Sequence, residues 1–146
     1  MAKIVEIKGD LFTCPPHFNL AHTVSVDLKM SLGIAKIFKE RYGQVSFLKT
    51  QISSVGNCAS LIDDNGRRIF YLATKKRFFN KPSPQSIRSA LQSLKSQMIF
   101  FKLSFLAMPR IGSGLDKQYW PDVRSCLLYT SPSPRDATLS RMPSSA

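Results

Sequence analysis

Residues 83–98 read as one helix with a single apolar stripe, fenced on both sides by β-rich runs. Ser83 can cap the helix, and Pro84 suits its first turn because the missing N–H needs no helical partner there. Ile87, Ala90, Leu91, Leu94 and Met98 then recur at helical spacing. A stripe of this kind belongs to a core rather than to a cofactor site. Before it, residues 68–74 are rich in β-formers. After it, Leu103 to Met108 is apolar and stops at Pro109, which reads as a buried strand.

The rest of the chain extends this alternation. Lys3 to Lys8 and Leu20 to Val26 are strand candidates. From Gly33 the period changes: Ile34, Ile37 and Phe38 share one face, with Lys36, Lys39, Glu40 and Arg41 between them, and Gly43 ends the helix. Val55 to Ile62 and Arg68 to Thr74 flank Asp63-Asp64-Asn65-Gly66, and Asn-Gly favours the positive φ angles of a tight hairpin. Strands alternating with helices predict an α/β layered domain. At 146 residues and 43% hydrophobic content, the chain suffices for one such domain.

Twenty-one Lys and Arg against nine Asp and Glu give a formal charge of +12. That charge predicts a polyanionic partner, either a nucleic acid or a diphosphate-bearing ligand. The basic residues form no long block, which weakens a nucleic-acid tail. The most apolar stretch, residues 98–101, is broken by Lys102, so no membrane span is expected. The first residues, MAKIVEIKGD, lack the apolar core of a secretory signal. Cys14, Cys58 and Cys126 are far apart, and neither His17 nor His22 stands at zinc-like spacing from them. Reduced thiols, no metal and no cofactor are expected.

Three segments carry candidate chemistry. Lys8-Gly9-Asp10-Leu11-Phe12 ends a strand with a turn and a carboxylate able to accept hydrogen bonds. Residues 109–116, PRIGSGLD, follow an apolar strand, where ligands of α/β sheets bind. The glycines around Ser113 let backbone N–H groups approach a phosphate. Thr74-Lys75-Lys76-Arg77 ends the second strand of the hairpin. Adjacent cations disfavour one another's charged form, which would free a lysine to attack an electrophilic carbon.

Together the strings KGDLF (8–12), LAH (20–22), GIA and FK (33–39), YLATKKR (71–77), KP (81–82), MPRIGSGLD (108–116) and Trp120 resemble the single-domain macrodomain hydrolases of the terminal ADP-ribose protein glycohydrolase type. The resemblance covers residues 3–123. It implies a three-layer α/β/α macrodomain with a mixed six-stranded sheet and an ADP-ribose cleft. It implies Lys75 as nucleophile and Asp116 as base, removing mono-ADP-ribose from acidic side chains, and deacylation of O-acyl-ADP-ribose as a further activity. Asp10 and Leu11 would hold the adenine end and Ser25 would touch the ligand. Arg110, Ile111, Gly112, Ser113, Gly114 and Leu115 would wrap the phosphates and distal ribose. The implied partners are ADP-ribose, mono- or poly-ADP-ribosylated proteins and ADP-ribosylated nucleic acid, met by a nuclear and cytoplasmic monomer.

Two departures modify these expectations. The family's MGAGIA loop here reads Met30-Ser31-Leu32-Gly33-Ile34-Ala35, and Phe78-Phe79 replaces smaller residues after the lysines. A bulkier loop predicts weaker ligand binding and keeps open a non-catalytic ADP-ribose-binding module; a basic nucleic-acid-binding protein is the remoter alternative. Beyond Val123 the family's last helix and strand are not recognisable. Residues 126–146, CLLYTSPSPRDATLSRMPSSA, resemble translated adapter or vector sequence. The expected organisation is therefore an incomplete macrodomain over residues 1–125 and a disordered, strandless tail over 126–146.

Overall fold

The computed structural model describes residues 3–6, 11–31, 33–109 and 138–142, the first and last of these as strand backbone. Among these residues six strands form one sheet: β1 (Lys3–Glu6), β2 (Asn19–Ser25), β3 (Cys58–Ile62), β4 (Arg68–Lys75), β5 (Phe105–Pro109) and β6 (Thr138–Met142). Their order is β1-β6-β5-β2-β4-β3. Every neighbouring pair is parallel except β3 and β4, so the sheet is mixed with its antiparallel hairpin at one edge. Among the described residues three α-helices accompany it: α1 (Gly33–Tyr42), α2 (Val45–Gln51) and α3 (Pro84–Phe100).

The central strands are buried on both faces, as parallel strands covered by helices must be. Side-chain alternation divides them between two cores. Leu20 and Val24 of β2 and Ile69, Tyr71 and Ala73 of β4 face α1 and α2, where Phe38 and Leu48 are fully buried. Ala21, Phe70 and Leu72 point the other way, onto Ile87, Ala90, Leu91, Leu94 and Met98 of α3. The expected α/β/α layering is therefore present.

The predicted cap is also present. The Ser83 side chain accepts the Ser86 N–H at 3.0 Å, Ser86 Oγ accepts the Ser83 N–H at 2.9 Å, and Pro84 follows directly. Two free backbone donors of the first turn are thereby satisfied.

Three details differ from expectation. The β3–β4 turn places Gly66, not the Asn65–Gly66 pair, at positive φ (85°). Gly66 N–H donates to Asp63 O at 3.1 Å, and the Asp63 carboxylate accepts the Asn65 and Arg67 N–H groups, both at 2.9 Å. The Asp63 side chain, rather than a two-residue turn, thus closes the hairpin. Second, α2 is a separate short helix with no counterpart in the periodicity, entered through Gln44 at φ 54°. Third, the expectation of a strandless tail with the last strand missing is corrected. Thr138–Met142 pairs with both β1 and β5, from Lys3↔Thr138 to Glu6↔Arg141 and from Phe105↔Thr138 to Pro109↔Met142. Pro132 and Pro134, which could not donate to a ladder, lie before this stretch and Pro143 lies after it. Five proline-free residues between two strands with open hydrogen-bonding edges are enough, whatever their intrinsic preference.

Candidate active site

The carboxyl ends of β2 and β4 converge on one cleft. Their register is regular from Leu20↔Ile69 to Val24↔Ala73, then slips so that Ser25 stands opposite Lys75. A bulge of this kind re-aims side chains at the end of a ladder. Beyond it the strands stay tied, with Val26 N–H donating to Lys75 O at 2.8 Å and Asp27 N–H to Lys76 O at 3.3 Å. Lys75, Ser25, Thr23, Met30, Ser31 and Phe78 line a cleft of about 140 Å³. Two residues singled out by resemblance, Lys75 and Ser25, are therefore brought together on one wall.

Asp27 organises this corner, and the sequence reading passed over it. Its Oδ1 accepts from Ser25 Oγ and from the Lys29 N–H at 3.2 Å, and its Oδ2 accepts the Phe78 N–H at 3.2 Å. One carboxylate thereby joins the loop after β2 to the strap after Lys75. Burial alone would raise this carboxyl, but the Ser25 hydroxyl, the Lys29 and Phe78 amides and the Arg77 charge together hold it below its usual range. The only local signal was a Ser-x-Asp-x-Lys run at a strand's end, a common turn pattern.

Among the described residues of the loop from Asp27 to α1, Leu28 (φ 52°) and Met30 (φ 43°) are non-glycine residues in the left-handed region. Such backbone costs energy and persists where surrounding contacts enforce it. Here Leu28 N–H donates to Ser25 O at 2.9 Å, and Lys39 Nζ of α1 donates to Lys29 O at 3.1 Å. Gly33 also has positive φ (59°), whereas Ser31 does not. The glycine the family pattern keeps is thus at the position that needs one, and a serine at 31 carries no left-handed strain.

The other expected site residues are distributed as follows. Leu11 starts a single 3-10 turn, Leu11–Thr13, and its side chain is in the core beside α1 and α2, so its backbone is what it can present to a ligand. Asp10, the phosphate loop Arg110 to Leu115, and Asp116 lie outside the described residues. Among the described residues no cluster of His, Cys, Asp or Glu is arranged to hold a metal. Cys14 and Cys58 are free buried thiols, Cys58 pushed up to about 12 by burial, and Cys126 lies outside the described residues.

Comparison with known proteins adds to this geometry. No family model matches the chain. The ADP-ribose glycohydrolase OARD1 of Homo sapiens is 41% identical over 126 residues, covering 86% of this chain and 82% of that protein. Among solved structures, the macrodomain of Mycobacterium tuberculosis DarG superposes with a TM-score of 0.82 at 24% identity, over 99% of this chain and 100% of that one. Thermosipho africanus DarTG in complex with ADP-ribose superposes with a TM-score of 0.74 at 18% identity, over 97% of this chain and 42% of that one. The structural matches establish the fold, and the bulge, cleft and strap described above sit within it.

Proposed function

Since the chain belongs to the family of the ADP-ribose glycohydrolase OARD1, whose fold is the macrodomain, we propose that it is a hydrolase releasing ADP-ribose from acidic side chains, with Lys75 as nucleophile and Asp116 as base. The observation that carries this reading is the position of Lys75. It ends a central strand, faces Ser25 across a bulge, and opens onto a cleft at the carboxyl edge of a mixed α/β sheet.

The chemistry follows from an ester linkage at C1 of the ribose. The Lys75 Nζ lone pair attacks C1 as the C1–O bond to the ester breaks, the side-chain carboxylate leaves, and the Asp116 carboxylate takes the proton the amine gives up. Water then cleaves the new N–C1 bond, returning ADP-ribose and the unmodified lysine. The same steps serve an O-acyl-ADP-ribose, with a small acyl group in place of the protein. The setting that suits these substrates is nuclear and cytoplasmic.

A peptide carrying one mono-ADP-ribosylated glutamate tests this directly. The wild-type chain is expected to release ADP-ribose. Lys75→Ala is expected to release none while still binding ADP-ribose by calorimetric titration. Undiminished release by Lys75→Ala would remove the lysine from the mechanism. Tight binding with no release by the wild type would make the protein a reader instead.

A further inference from the structure

The strap after Lys75 has two faces, and only one belongs to the cleft already described. Lys75 and Phe78 line that cleft, whereas Lys76 and Arg77 line a second open groove of about 340 Å³ on the other side of the strap. Its opposite wall is Ser53, Ser54 and Val55, in the segment between α2 and β3.

Both walls are held in place. Asn57 Oδ1 accepts the Ser53 N–H at 2.8 Å, the Ser53 hydroxyl at 3.1 Å and the Ser54 N–H at 3.0 Å. Asn57 is itself fixed, because its carbonyl accepts the Ala73 N–H of β4 at 2.9 Å. Across the groove, Asn80 Oδ1 accepts the Arg77 N–H at 3.0 Å and Asp27 ties down Phe78. The Lys76 and Arg77 side chains are exposed. No hydrogen-bond partner for the Lys76 ammonium is found among the described residues. Asp27, also on the lining, already accepts three hydrogen bonds.

We propose that this groove is an acceptor subsite that binds acidic side chains flanking the modified residue of a protein substrate. The proposal rests on the hydrolase reading above. One route out of the cleft for a protein attached at the carbon that Lys75 attacks passes residues 76–78, the strap the two clefts share. On this side of the strap it meets two cations and the serines of the opposite wall, which carboxylates pair with. Among the described residues no aromatic ring lines the groove, which gives nucleic-acid bases no surface there to stack on.

The test uses two peptides, each with one mono-ADP-ribosylated glutamate, flanked by Glu and Asp in one and by Gln and Asn in the other. The wild type is expected to show a KM about tenfold lower for the acidic peptide, with kcat unchanged. In the double variant Lys76→Gln, Arg77→Gln the KM values for the two peptides should become equal, any change in kcat being common to both. Equal KM values in the wild type, or equal losses on both peptides in the variant, would overturn the subsite. A second measurement needs no turnover: fluorescence anisotropy of an unmodified heptaglutamate peptide should report binding to the wild type and not to the variant. It decides the groove even if neither modified peptide is hydrolysed, a result that would strike the hydrolase reading alone. Displacement of that peptide by oligo-dT at lower concentration than by its own unlabelled form would overturn the proposal in favour of a nucleic acid.

Discussion

Gln51 makes with Ser60 the two hydrogen bonds that a further strand would make: its Nε2 donates to Ser60 O at 2.9 Å and its Oε1 accepts the Ser60 N–H at 2.9 Å. Ser60 sits in the middle of β3, the outermost strand on that side. Two residues earlier, Gln97 of α3 donates to Cys58 O at 2.5 Å. Side-chain amides therefore cover the polar groups that an exposed edge offers to another chain.

Gln51→Ala leaves both backbone groups of Ser60 without their partner. The expected cost is about 1–3 kcal/mol, read as a lower urea midpoint. Light scattering should also show concentration-dependent association that the wild type lacks. A variant that melts like the wild type and stays unassociated would mean water replaces the amide without loss.

Asp27→Ala should slow turnover about tenfold to a hundredfold, because Lys75 loses the carboxylate that fixes the strap behind it, and small misplacements of a reacting group have effects of that size. Asp27→Asn keeps one acceptor oxygen and should recover part of the rate. The pH dependence has a definite sign. A carboxyl held below its usual range adds stability above its unfolded pKa, and that stability is lost as pH falls through the lowered value. Melting curves of the wild type and Asp27→Asn should therefore converge on acidification.

His22 gives a second acid-sensitive group. It is fully buried, stacked on Phe38 with ring centroids 3.8 Å apart and 4.7 Å from Tyr71. Burial pushes its pKa down to about 3 against the opposing, smaller effect of the Thr23 backbone. The unfolded chain binds a proton near the usual histidine value of about 6.5. Between those values the unfolded state holds more protons, so stability falls as pH falls, by about 1.4 kcal/mol per unit at most. His22→Phe should flatten the urea midpoint between pH 6.5 and 4. An equally steep profile in that variant would assign the acid limb to other groups.

Ser83→Ala should lower stability by about 1 kcal/mol through loss of the α3 cap. Ser83→Asp should restore it, because aspartate caps equally well. A deficit that aspartate does not repair would point to the Ser86 half of the box.

The difference between Ser83 and Asp27 explains what a sequence can display. The α3 helix was legible because its cap, its proline and its apolar stripe all lie within sixteen residues and agree with one another. The α2 helix was not: of its seven residues only Leu48 is buried, too little to show a period. In the site, Lys75 was recognisable within the YLATKKR string, and Ser25, which lies in none of the matching strings, only through the resemblance as a whole. Asp27 works through Phe78, 51 residues away, and no local pattern encodes such a bond. The β6 strand failed for a related reason. Nothing in TLSRM marks it as a strand until β1 and β5 offer it a place between them.

That place has a consequence for how the chain assembles. Within the described sheet β1 is the outer strand and β6 its neighbour, with Lys3 paired to Thr138. Of the six described strands, the first in chain order thus has its partner in the last. The parallel run β5-β2-β4 and the β3 hairpin can form earlier, from residues 19–109. Until residues 138–142 emerge, β5 presents an open ladder and β1 has none to join. Pairings this distant close slowly and leave strand edges exposed meanwhile. Of the described strands, the last to be made is therefore the one that admits the first.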